Sequence, residues 1–229
     1  MPQPADQVEV YYEIGSKKTF AGAIDWPGWI RSGRDEAAAL QALLESGPRY
    51  GRILRAARID FHSPEDVSAF QVVERLPGNP TTDFGAPDAS PSADDDPVDG
   101  DRLRFLQDLL KACWGTLEKT ARAAAGKELR KGPRGGGRDV DGILRHVLGS
   151  ETSYLSSLGW KVRWDEKKDL YEELHRVQEE AVQALAPAAR GELPASGPRG
   201  GKRWSPRYYV RRSAWHILDH AWEIEDRVI

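Results

Sequence analysis

Ser205–Ile229, SPRYYVRRSAWHILDHAWEIEDRVI, is the stretch from which the rest of the chain is read. Its composition is helix-forming, and His216 and His220 stand four residues apart in it. At about 100° per residue their rings leave one face of a helix, one above the other, at a spacing where two imidazoles share a metal ion. The same spacing also arises by chance on a half-exposed face. A third ligand is therefore needed, and His62, His146 and His175 are the histidines left to supply it.

Length and composition narrow the setting. A chain of 229 residues exceeds one typical domain, so two compact units with a linker are expected. A hydrophobic content of 39% with eight Trp, seven Tyr and five Phe provides for packed cores, while 30% charge indicates a solvated surface. The formal net charge of -3 gives no overall attraction to nucleic acid. The single cysteine, Cys113, forms no intramolecular disulfide and no zinc cluster, and reads as a small buried residue. No apolar run reaches the roughly 18 residues of a membrane-spanning helix, and Met-Pro-Gln-Pro lacks the regions of a signal peptide. A cytoplasmic protein with no membrane partner is expected by default.

From the N-terminus, Val8–Ile14 and Lys18–Ile24 are β-branched and aromatic around a Gly15-Ser16 turn, which predicts a hairpin. Asp25–Ile30 then turns into a short strand. Asp35–Ser46 has acidic residues in its first turn and an Ala/Leu body, which predicts a helix stopped by Gly47-Pro48, and Ser68–Leu76 predicts a further strand. The order is β-β-β-α-β over residues 1–84. Asp25, Pro27, Gly28, Gly33, Glu36 and Ala37 match the turn, glycine and acidic helix start of the HicB-like small α/β domain, which this region resembles. The resemblance implies an antitoxin or a binding module with a separate DNA-binding segment, and no such segment is found.

Residues 85–100, rich in Pro, Ser, Ala and Asp, are expected to be a linker or irregular loop. Beyond them, Asp101–Ala125, Asp139–Leu158, Asp169–Leu185 and Arg207–Val228 carry apolar residues at helical spacing, and residues 101–229 are expected to form an up-and-down four-helix bundle. The overall fold class is thus α+β with two domains. In such a bundle the second and fourth helices run the same way, which places His146 at a depth similar to His216 and His220. Its two glycine-rich links, 132–136 and 197–201, emerge at one end.

One histidine in the second helix and His-x-x-x-His in the fourth make the C-terminal half resemble the DinB-like four-helix family, although Gly137-Arg138-Asp139 replaces that family's usual Trp-Ser. The resemblance implies a divalent metal on His146, His216 and His220; a three-imidazole set suits zinc well and also accepts nickel or iron, with zinc or nickel favoured. It further implies, in many members, a transferase or isomerase activity using mycothiol, bacillithiol or glutathione; other members have no known activity. Pairing into a homodimer is expected from the same resemblance. Three imidazoles leave at least one coordination position open, as a catalytic site requires, and water or a thiol placed there loses its proton near neutral pH.

Glu151 falls at about 140° from His146 on the helical wheel, inside the apolar arc. A buried carboxylate needs a partner, either an imidazole N–H, with a role as proton carrier, or an arginine. Tyr209 and Arg227 share the histidine face and are candidates for contact with a substrate anion. Arg134 and Arg199, in the two glycine-rich links, are candidates for drawing an anionic small molecule to the mouth of the groove. His62 and His175 are expected to face solvent. Two readings result: a metal-dependent transferase, isomerase or hydrolase, or a non-catalytic module in which the N-terminal domain binds a ligand or protein and the bundle is a scaffold.

Overall fold

Strands form in the β-branched and aromatic stretches and helices where apolar residues recur every three to four positions, in a computed structural model that describes residues 7–131, 137–198 and 200–229. The chain is mixed α and β, with a four-stranded sheet in its N-terminal part and helices after it. It divides into two compact units, Met1–Asp96 and Pro97–Ile229.

In the first unit β1 (Val8–Ile14), β2 (Thr19–Ala23) and β3 (Ile30–Gly33) form an antiparallel meander. Helix α1 (Glu36–Ala56) carries the chain across to β4 (Phe70–Pro77), which pairs parallel to β1, so the sheet order is β3-β2-β1-β4. A parallel partner demands such a crossover. Helix α1 does not stop at Gly47-Pro48 as expected. Its buried stripe continues through Leu43, Gly47, Tyr50, Gly51 and Leu54, with Tyr50 stacked on Trp29 at 5.8 Å between ring centres. Burying that stripe outweighs the hydrogen bond lost at Pro48. Gly47 is there for space, since a Cβ on it would lie 2.2 Å from Ser63 Oγ.

The boundary between the units falls inside the stretch expected to link them. Residues 80–96 belong to the first unit, beginning with the short helix α2 (Pro80–Phe84). The fully buried carboxylate of Glu13 holds this segment down: it accepts from the Thr82 hydroxyl, from Asp88 N at 2.9 Å and from Ala89 N at 3.0 Å. An acidic, proline-rich composition did not reveal that anchor, because its acceptor lies on β1, some 70 residues away.

The second unit is built from α3 (Gly100–Ala123), α4 (Val140–Leu158), α5 (Leu170–Ala189) and α6 (Pro206–Arg227). Their directions differ from an up-and-down order. Helix α5 is antiparallel to α3, with His175 Nε2 2.9 Å from Glu118 and Gln107 Nε2 3.1 Å from Val182 O. Helix α6 is parallel to α3, with Thr120 bonded to Glu225 at one end and Arg207 to Pro97 O at the other. Helix α6 is antiparallel to α4: Trp204 N donates to Ser157 O at 3.0 Å at one end, and Arg227 Nη2 to Arg138 O at 3.1 Å at the other. The order is therefore up, down, down, up. The segment 159–169 is not a turn but a return run, tied to α5 by Trp160 Nε1 to Glu180 at 2.7 Å and Asp165 N to Glu173 at 3.0 Å.

Two expectations change with this order. Helices α4 and α6 run in opposite directions, and the α3–α4 and α5–α6 links leave opposite ends of the bundle. Lys131 and Arg138 flank the first link near the end of α6, while Ser196 and Lys202 pair across the second beside the end of α4. The two glycine-rich links therefore do not frame one mouth together. Arg134 and Arg199 themselves lie outside the described residues.

Candidate metal centre

Helix α6 is buried almost all round from Tyr208 to Leu218, because it packs against α3 and α4. Ser205 caps it, accepting from Tyr208 N, and Pro206 opens its first turn. Asp139 caps α4 through Gly142 N at 2.8 Å. These two helices bring the three histidines together despite their opposed directions. His146 is in the second turn of α4, and His220 is two turns before the end of α6, so an antiparallel pairing sets them level.

The rings form a triangle with centroid separations of 4.6 to 5.0 Å. One ligand atom from each lies within 4.8 Å of the others, and His146 Nε2 is 3.2 Å from His216 Nε2. Metal–nitrogen bonds of about 2.0–2.1 Å put two imidazole nitrogens about 3.0–3.4 Å apart around a tetrahedral or octahedral ion, a separation that the His146–His216 pair already has. Protonation also fits. Burial, reinforced by the neighbouring His220, pushes His216 down to about 2 and His146 down to about 4. Both are neutral at ordinary pH, and the neutral imidazole is the ligating form.

Glu223 completes the arrangement and was not anticipated. His220 Nδ1 donates to its carboxylate at 2.7 Å, which leaves Nε2 with the lone pair. Arg227, one turn further on, pairs with the same carboxylate. A glutamate at i+3 from a ligand histidine, followed by an arginine at i+7, is the signal in the sequence that marks it.

The other expected site residues fall elsewhere. Glu151 is fully buried, beside Ser213 and Trp114, with neither oxygen in hydrogen-bond geometry; neither an imidazole nor an arginine pairs with it among the described residues. Desolvation raises it to about 8. Tyr209 is on the histidine face but two turns away, roughly 10 Å along the axis, and its buried hydroxyl lies near Glu151 in the core. Arg227 directs its guanidinium at Glu223, Arg130 O and Arg138 O, bracing the ends of the α3–α4 link. Cys113 is buried and its thiol pushed up by desolvation, which leaves it inert. His62 is exposed, and His175 is on the surface, paired with Glu118.

A cleft of about 540 Å³ reaches the centre at His146 and is lined by Arg138, Gly142, Arg145, Trp164 and Glu166. Trp164 and Glu166 come from the return run, and the cations come from the start of α4. Three imidazoles this close together could hold a metal ion, and the partly basic cleft reaches one of them, His146. No helix among the described residues is long and apolar enough to cross a membrane. No family model matches the chain, and neither a curated protein nor a solved structure shows significant similarity to it.

Proposed function

We propose that the C-terminal unit binds one divalent first-row metal ion, zinc or nickel, on His146, His216 and His220. In this reading it is a DinB-like, metal-dependent transferase, isomerase or hydrolase acting on a small, anionic substrate, with a low-molecular-weight thiol such as mycothiol or bacillithiol as cosubstrate. The observation that carries the reading is the 3.2 Å approach of two imidazole nitrogens whose burial keeps them unprotonated. Without a cation between them, one must donate to the other, and His220 gains nothing from standing beside both.

When bound, the ion supplies Lewis acidity and lowers the pKa of whatever water or thiol takes its open position. The chain's own residues do the rest. Glu223 fixes the tautomer and tilt of His220. Arg138 and Arg145 make the cleft favourable for an anion, and Trp164 gives it an apolar wall. No catalytic step is assigned to Glu151, since no hydrogen bond joins it to an imidazole.

Cobalt(II)-loaded protein titrated with bacillithiol or mycothiol tests the thiol part. A thiolate-to-cobalt charge-transfer band should grow to saturation with one thiol per ion. Full cobalt occupancy with no band would remove the thiol from the proposal and leave the metal.

A further inference from the structure

Arg212 sits one turn before His216 on α6 and is only 8% exposed. Its guanidinium carbon lies 4.8 Å from the ring centre of Trp215 and 5.5 Å from that of Tyr154. Two other arginines of this unit have carboxylate partners, Arg176 with Glu173 and Arg227 with Glu223. Arg212 has no hydrogen bond and no ion pair among the described residues, and its Nη1 is buried without an acceptor. The unpartnered acid of the core does not answer it, because the groups around Glu151 are Ser213, Trp114, Tyr209 and Cys113.

A second buried donor stands beside it. His216 turns Nε2 towards His146, so with an ion between the two rings its proton lies on Nδ1, which is also buried with no acceptor. Tyr154 lies between the two groups, 5.7 Å from the His216 ring. Trp204 packs on Tyr154 at 5.2 Å and Tyr208 on Trp204 at 4.9 Å, continuing an aromatic wall. A permanent cation taken out of water and left unpaired is costly, and the contacts with the faces of Trp215 and Tyr154 recover only part of that cost. What the site lacks is one negatively charged acceptor.

We propose that Arg212, with Tyr154 and Trp215, forms a subsite for the carboxylate of a substrate with an apolar body, adjacent to the three imidazoles. The proposal rests on the metal-centre reading for its place beside the reacting position, but the subsite itself belongs to the protein. A carboxylate matches the planar fork of a guanidinium in two parallel hydrogen bonds. One guanidinium balances one charge, so a monoanion suits the proposed subsite better than a dianion, whose second charge would remain uncompensated.

Calorimetric titration of the full chain with benzoate and with benzyl alcohol, in both zinc-loaded and metal-free protein, tests this. Benzoate should bind saturably and benzyl alcohol should not, in either form. R212Q should take up the same zinc as the wild type yet bind benzoate about ten- to a hundredfold more weakly. R212K, which keeps the charge but loses the fork, should fall between them. Equal affinity for benzoate and benzyl alcohol in the wild type, no saturable benzoate binding, or unchanged affinity in R212Q would each overturn the subsite. Failure of the metal reading looks different: zinc is not taken up, while the preference for benzoate in metal-free protein remains and still depends on Arg212.

Discussion

Glu223 accepts the Nδ1 proton of His220, and two predictions at the scale of single residues start from carboxylates of this kind. Removing the charge in E223Q frees His220 to turn and to change tautomer, so zinc affinity should fall about ten- to a hundredfold in competition with a chromophoric chelator. Glu151 makes the second prediction through pH. Its carboxyl is raised to about 8 in the fold, from an ordinary value of 4.5. Between those values the folded state holds a proton that the unfolded state has released, so stability falls as pH rises. His216 and His146 act the other way: both are depressed by burial, so stability is lost as pH drops below about 6.5. From about 6.5 to 8 Glu151 therefore acts alone. Metal-free wild type should lose stability on the order of a few kcal/mol across the Glu151 range, and E151Q should be nearly flat between pH 6.5 and 8 in thermal melts. A wild-type slope that persists in E151Q would show that the carboxyl is not held protonated.

At the scale of elements, space decides where glycine is required. A Cβ on Gly33 would lie 2.3 Å from the backbone N of Ala39 at the start of α1, and backbone cannot move aside cheaply. G33A should lower the free energy of unfolding in urea by roughly 2 kcal/mol or more. Gly115, exposed within α3 with nothing within 4 Å of a Cβ, is the opposite case, and G115A should raise stability by roughly 0.5–1 kcal/mol. The elements themselves were legible because burial follows periodicity: Leu106, Leu110, Trp114 and Leu117 are buried on α3, as their spacing implies. Direction was not legible. Residues 159–169 carry Gly159 and Trp160 and read equally as a turn or a return run; only the bonds of Trp160 and Asp165 to α5 distinguish them. The three histidines were found on a premise that failed, parallel α4 and α6. They meet because His220 is nearly as deep from one end of α6 as His146 is from the start of α4. Glu223 escaped notice because a glutamate on a helix reads as surface until its neighbours are known, and for the same reason Arg212 reads only as one of the cations around the second glycine-rich link.

For the molecule as a whole, an ion that binds the folded chain and not the unfolded one stabilises it by mass action, about 2.7 kcal/mol when present at a hundred times its dissociation constant. Chelation should lower the melting temperature of the unit Pro97–Ile229, and zinc should restore it. That effect should vanish in H216A, where the buried ligand is lost. The most direct measurement is the metal content of the purified 229-residue chain, taken by inductively coupled plasma mass spectrometry after zinc loading and gel filtration. The expected result is about one equivalent per chain in the wild type, and well under a tenth of that in H146A, H216A and H220A alike. A wild-type chain that retains none, or three variants that retain as much as the wild type, would contradict a metal centre on these histidines.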